Sequence, residues 1–547
     1  MTNLPRVTYS NTGEDFSGVH AHLDAAIPEA EARLLGKVQA ALVGGKDRSD
    51  GAMVVAVSPI DRDIVLGEFP QADPALVDQA VGRAKGAAPF WDVLGWPKRV
   101  EILRAGADQV EQRKWDIAIA CLIEVGKSRL EAVGEVEEAI DLIRHYCDEM
   151  ERTDGYRQEM PGASAAERCS VVMRPYGVFA VVAPFNFPVA LSIGMMSAAL
   201  VAGNTVVFKP SEAAGLTGRL VVEALVAGGL PNGVLNLVHG GEATGKALVQ
   251  HADVAGIAFT GSNPVGMAML RHAAAATAMR PVLCEMGGKN PAFVCESADL
   301  AVAASGVARS AFGLSGQKCS ALSKVYVARS VMDDFLHALT ETTDKLVVGD
   351  PRRQDVFMGP VIDAAAVDRF ERAAAVVTSR RPAMSGGNVS DQFIAAAGDV
   401  ASKASVLLGG KRLSDGALDR GYFVEPTVVA GLPPEHGLNH DELFLPFLSV
   451  LPLDSFMDAL ESANRSAYGL TAGIYTRDEP ELNWFLDEMQ AGVLYANRAS
   501  GATTGAWPGF QTFCGWKGSG TTGKGGLGSW YVPQFMREQS RTLFGSL

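Results

Sequence analysis

Cys319 closes the small-residue run Phe312-Gly313-Leu314-Ser315-Gly316-Gln317-Lys318-Cys319-Ser320, downstream of Glu285 in Glu285-Met286-Gly287-Gly288-Lys289. Most free cysteines are small buried hydrophobes. A thiol on a glycine-containing loop, matched with a carboxylate beside glycines, suggests covalent catalysis with a general base. A thiolate attacks a carbonyl carbon, and a carboxylate activates the water that later frees the product.

A second group of residues points to a nucleotide. Lys209-Pro210-Ser211-Glu212 follows directly on an apolar strand, which puts Lys209 and Glu212 at the carboxyl edge of a parallel sheet, where ligands bind in such folds. A carboxylate there suits the two ribose hydroxyls of an adenosine and repels a 2′-phosphate. Gly241-Glu242-Ala243-Thr244-Gly245 and Phe259-Thr260-Gly261-Ser262 also end apolar strands with small residues, leaving room for a pyrophosphate near helix N-termini. Three more obvious motifs fail on context. Gly518-Ser519-Gly520-Thr521-Thr522-Gly523 has the dinucleotide spacing, but no strand precedes it and no helix follows. The run 240–246 resembles a P-loop, yet Ala247 stands where a hydroxyl must bind magnesium. His436 and His440 are four apart, but their Gly and Pro neighbours argue against a helical zinc site, and no metal is expected.

The elements that must position these residues alternate in type. Short apolar runs at 178–182, 205–208, 234–238 and 256–259 are separated by helical stretches, which implies a parallel sheet covered by helices. A second alternating block covers about 290–494. Ahead of them, a helix over 21–43, a strand pair over 54–67 and helices over 75–86, 97–113, 115–126 and 131–147 are expected. Residues 152–174 read as a protruding hairpin, and the Ser/Ala/Gly-rich 379–404 as a surface insertion. The uncharged run 177–208 is long enough for a membrane span, but Pro184, Pro188, Gly194 and Gly203 divide it into strand, helix and strand.

With 547 residues, two or three domains are expected. Hydrophobic residues at 48% and charged residues at 20% describe a globular chain with a large core. A net charge of −14 without a basic run offers no footing for nucleic acid or an anionic membrane. Seven scattered cysteines without a C-x-x-C pair favour a reducing compartment, and the N-terminus has no apolar signal core; a cytoplasmic location is expected.

Taken in order, several segments resemble the aldehyde dehydrogenase superfamily over nearly the whole chain. They are Pro184-Phe185-Asn186-Phe187-Pro188, Lys209-Pro210-Ser211-Glu212, Phe259-Thr260-Gly261-Ser262, Glu285-Met286-Gly287-Gly288-Lys289, Gly316-Gln317-Lys318-Cys319, Tyr422-Phe423-Val424-Glu425-Pro426-Thr427, Glu442-Leu443-Phe444 and Asn464-Arg465-Ser466-Ala467-Tyr468-Gly469-Leu470. The resemblance implies an α/β fold: an N-terminal extension (1–50), a Rossmann-like NAD-binding domain (51–152 and 175–284), an α/β catalytic domain (285–497), and a small β oligomerisation element (153–174 and 523–547). It implies that Cys319 is the nucleophile, that Asn186 and the Cys319 N–H form the oxyanion hole, and that Glu285 activates water. It assigns the cofactor, NAD with NADP possible, to Pro184, Phe185, Lys209, Ser211, Glu212, Gly241, Gly245, Thr260, Gly261, Ser262, Met286, Glu442 and Phe444, and counts Lys209 with the catalytic set. A homodimer or larger homo-oligomer is implied as well.

One branch is closer, the 1-pyrroline-5-carboxylate (glutamate γ-semialdehyde) dehydrogenases. It matches at Ser320 and at Thr504-Gly505-Ala506 with the following Phe513. The resemblance assigns Ser320, Gly505, Ala506 and Phe513 to a carboxylated aldehyde. About three extra residues between Asn497-Arg498 and Thr504, and Cys514 where the branch has glycine, depart from it. An aliphatic aldehyde, or an aromatic one met by Trp507, Phe513 and Trp516, stays open. So does a binding protein of the same fold without catalysis.

Overall fold

In the computed structural model, residues 4–11, 13–277, 279–378, 404–499 and 506–545 are described. Thr504, Gly505 and all of the expected insertion except Ala404 lie outside them. Val178–Val182 and Thr205–Lys209 are buried along their whole length, so both faces are covered, and they pair in parallel. Val254–Thr260 and Val282–Glu285 extend the sheet on one side, Leu235–Leu237 on the other. The register Val182↔Lys209, Leu237↔Phe208 and Thr260↔Glu285 brings the carboxyl ends of these strands to one edge. Every cofactor loop named above except that of Glu442 and Phe444 leaves from that edge.

The sheet has seven strands because an antiparallel hairpin, Ala41–Val43 and Lys46–Arg48, closes its far side. This corrects the expected helix over 21–43. The helix runs Ser17–Leu34 and stops before Gly36 at φ +69°.

A second seven-stranded sheet is centred on Leu322–Ala328, flanked by Asn290–Val294 and Phe447–Leu453 in parallel. Since Val282–Glu285 ends the first sheet and Asn290 begins the second, residues 286–289 bridge them. Cys319 lies between the helix Leu300–Phe312 and the strand Leu322–Ala328, at the opening between sheets. The helices Trp96–Gln112, Lys114–Val125, Arg129–Arg152 and Ala190–Val201 pack the main core behind the first sheet. No helix among the described residues is long and apolar enough to cross a membrane.

Arg157–Met160 and Glu167–Pro175 form the expected hairpin, and Met536–Phe544 adds a third strand along nine paired positions. The tail before that strand is not free. Tyr531, Val532 and Phe535 are buried in the main core, while Trp530 faces outward.

Candidate active site

The Cys319 loop is a forced conformation. Leu314 (φ 50°), Ser315 (φ 55°) and Gly316 (φ +67°) are all left-handed, a state that L side chains avoid. A methyl group on Gly316 would stand 2.2 Å from the Leu445 carbonyl, so only glycine fits there. The loop is held from the side by Ser315 Oγ donating to the Gly359 carbonyl (2.7 Å) and by Ile362 N–H donating to Gln317 Oε1 (2.9 Å). From below, Asn290 Nδ2 donates to the Cys319 and Ala321 carbonyls at 2.8 and 2.9 Å.

Asn186 is buried and donates from Nδ2 to the Gln317 carbonyl at 2.9 Å. An amide carries two hydrogens. The second is left for another acceptor, as an oxyanion donor requires.

Glu285 ends its strand with Oε2 buried and without a hydrogen-bond partner. Burial pushes its carboxyl up to about 8, against a Gly515 N–H that pulls it down. Burial also raises the Cys319 thiol to about 12, helped by the charges of Glu442 and Glu285 and opposed by the backbone N–H groups of Ser320 and Cys319. Thiol and carboxylate therefore share one electrostatic environment. The glycine-rich run 518–523 has a use after all: Ser519 accepts from Met286 N–H at 2.8 Å and Thr521 N–H donates to Cys284 at 3.2 Å, which backs the end of the Glu285 strand.

The cofactor residues separate into two groups. Buried Lys209 donates to the Pro210 and Gly240 carbonyls at 2.7 and 2.8 Å, and burial lowers its ammonium to about 8, with Glu212 opposing. A methyl on Gly241 would meet the Glu212 carboxylate at 2.6 Å, and one on Gly245 would touch Lys209 at 3.5 Å. Ser211 caps the turn that carries the exposed Glu212, its hydroxyl oxygen accepting from Ala213 N–H at 3.3 Å. Ser262 is the N-cap of the helix Asn263–Ala274, yet makes no side-chain cap bond. An exposed carboxylate beside glycines and a spare hydroxyl at a helix start fit an adenosine diphosphate moiety. Thr260 and Gly261 lead into that helix.

The other group lies toward Cys319. The rings of Phe185 and Phe444 meet edge to face at 5.9 Å, Phe444 being left-handed at φ 58°. Pro184 precedes Phe185 in the same partly buried loop. Glu442 accepts from Gly288 N–H at 2.9 Å, and burial raises its carboxyl to about 7. Met286 is buried under Gly266, where a methyl would lie 2.5 Å from its sulfur.

On the aldehyde side, Ser320 and Ala506 are buried, and Ala506 and Phe513 belong to the main core cluster with Phe185. The aromatic trio is not one wall. Trp507 is buried, whereas Trp516 is 45% exposed and pairs with Gly469.

Several residues of the site carry no motif. Lys318 pairs with the partly buried Glu131 at 2.5 Å, and Lys127 pairs with Glu135, the latter pair fully buried. Glu135 also accepts from Val189 and Ala190 N–H at 2.7 and 3.1 Å, which caps the helix following the Asn186 loop. Glu124 grips Leu216 and Thr217 N–H, both at 2.7 Å, just after the Glu212 turn. The available sign was a charge on an otherwise apolar helix face.

A profile of the Aldehyde dehydrogenase family matches residues 47–394 and 392–540. The chain is 34% identical over 510 residues to a 1-pyrroline-5-carboxylate dehydrogenase of Geobacillus sp. (strain WCH70), covering 92% of each. It is also 34% identical to an alpha-ketoglutaric semialdehyde dehydrogenase of Bacillus subtilis (strain 168), covering 82% of this chain and 87% of that one. The crystal structure of a 1-pyrroline-5-carboxylate dehydrogenase from Thermus with bound NAD is similar at TM-score 0.87 and 32% identity, covering both chains fully.

Proposed function

The chain belongs to the aldehyde dehydrogenase family, whose members oxidise aldehydes with NAD or NADP, and from that premise we propose that it converts glutamate γ-semialdehyde to glutamate. Cys319 Sγ gives its proton to water and then bonds to the aldehyde carbon. The oxygen, now an alkoxide, accepts from Asn186 Nδ2 and the Cys319 N–H. Lys209, Ser211, Glu212, Gly241, Gly245 and Ser262 would hold a dinucleotide, with Phe185, Glu442 and Phe444 toward Cys319, and it would supply the acceptor for the hydride that the aldehyde carbon gives up on becoming a thioester. Glu285 then takes a proton from water, which breaks the carbon–sulfur bond and releases the acid. Lys209, Thr260, Gly261, Pro184 and Met286 shape this cofactor path in the same reading.

One observation carries the mechanism: a strained loop presents Cys319 with Asn186 bound to it and a buried Glu285, its Oε2 without a hydrogen-bond partner, in the same field. The substrate reading rests on Ser320 beside the nucleophile and on Ala506 and Phe513; Gly505, which the resemblance assigns to the same carboxylate, lies outside the described residues. The equal identity to the semialdehyde dehydrogenase of Bacillus subtilis favours, as a second reading, a carboxylated semialdehyde without an amino group. NADH absorbance over a panel of aldehydes separates them. Preference for pyrroline-5-carboxylate supports the first, and equal or better turnover of ketoglutaric semialdehyde or simple aliphatic and aromatic aldehydes rejects it.

Homo-oligomerisation through the three-stranded flap and a cytoplasmic setting belong to the same proposal. The second is supported by seven cysteines that all stand unpaired.

A further inference from the structure

The segment before the first helix does not trail in solvent. Arg6 bonds Glu137 (3.0 Å) and Asp141 (3.0 Å) on the helix Arg129–Arg152, and Asn11 closes a turn with Thr8 N–H (2.7 Å) and the Arg6 carbonyl (3.0 Å). This lays the buried Tyr9 ring edge to face on Phe187 (6.2 Å, 87°) and on Trp507 (5.6 Å, 70°). Both partners adjoin, in the chain, residues that the proposed mechanism uses. Phe187 follows Asn186 and has Lys127 Nζ over its ring at 3.5 Å, while Trp507 follows Ala506. Asp141 receives Arg6 and also the Trp507 indole N–H (2.8 Å), so one carboxylate ties the arm to the wall it covers. The Tyr9 hydroxyl donates to Glu138 at 2.6 Å. Tyr9 also borders, with Glu131, Gly313 and Lys318, a cavity of about 220 Å³ reaching the residue before the nucleophile.

We propose that Tyr9 is a specificity-determining residue of the aldehyde pocket: the N-terminal arm folds its ring against Phe187 and Trp507 and so limits the depth available to the substrate. A dual role follows from the two ends of the side chain. The ring excludes long aldehydes, and the hydroxyl gives the buried Glu138 carboxylate a hydrogen-bond donor. The inference relies on the aldehyde-oxidising reading for the location of the pocket and not on which aldehyde is native.

The test is kcat/KM along a homologous series of linear aldehydes for the full-length enzyme and for Tyr9→Ala, Tyr9→Phe and Arg6→Ala. Tyr9→Ala is expected to reduce the preference for short over long members by about tenfold, the scale of a methylene or two in an apolar pocket. Tyr9→Phe is expected to keep that preference, and Arg6→Ala to lose part of it by loosening the arm. Unchanged ratios in Tyr9→Ala, or an equal loss for every member, would overturn the proposal, since a structural role lowers all of them together. If Tyr9→Ala does not fold, the Arg6→Ala ratio decides. Pyrroline-5-carboxylate is not in the series, so failure of the substrate reading leaves this result readable.

Discussion

In the proposed mechanism Glu285 is a base that begins as an acid. Burial raises its carboxyl to about 8, so below that pH the protonated form dominates and cannot accept a proton from water. Deacylation is therefore expected to climb about tenfold per pH unit below 8 and to level off above it, as seen by single-turnover release of product. In Glu285→Gln the climb should vanish and turnover should fall by about 10²–10⁴-fold. Stopped-flow absorbance would then show a burst near one NADH per site followed by a stall, because acylation precedes the step that needs the base. Continued fast turnover in this variant would mean that another group activates the water. Cys319 and Glu285 were readable as candidates from residue type and neighbouring glycines, and Asn186, flanked by Phe185 and Phe187, as a candidate only through the family resemblance. Glu135, Glu138 and Tyr9 were not: a helical repeat shows which residues share a face, and only the packing of several helices shows that the charged face is buried.

Elements show the same division. Uninterrupted apolar strands such as Val178–Val182 announce themselves, since burial on both faces leaves no polar position. The hairpin at 41–48 escaped because its strands have three residues each, although Gly44 and Gly45, both with positive φ, are the residues that a tight two-residue hairpin turn requires. Helix ends gave the least warning of their function. Glu135 joins the Lys127 ammonium, the start of the helix Ala190–Val201 and, through that helix, the loop of Asn186. Removing its charge takes from the buried Lys127 the carboxylate it is bonded to. Glu135→Gln is expected to lower unfolding stability by about 3–5 kcal/mol, read from the denaturant midpoint, because half of a buried ion pair is then left alone. A shift below about 1 kcal/mol would mean that water or another acid neutralises Lys127.

For the whole molecule, the feature without a purpose inside one chain is the flap. Met536–Phe544 pairs with Glu167–Pro175 at nine positions, Met536↔Pro175 to Phe544↔Glu167, yet eight of its nine residues are exposed, including Leu543 and Phe544. The three-stranded sheet ends in Met536–Phe544 on one side and Arg157–Met160 on the other, each with unpaired backbone groups. Such edges invite another strand. The core does not depend on them, since the last deeply buried residues are Phe535 and Met536. A chain ending at Met536 is thus expected to keep its fold but to lose self-association. Light scattering coupled to size exclusion should show an oligomer for the full chain and a monomer for the truncated one. Thermal unfolding of the truncated chain should begin earlier, because mass action no longer favours the folded state. Residual activity in that monomer would show that Cys319, Glu285 and Asn186 are assembled within one chain. An unchanged oligomer would instead move the contact away from the flap and onto another surface.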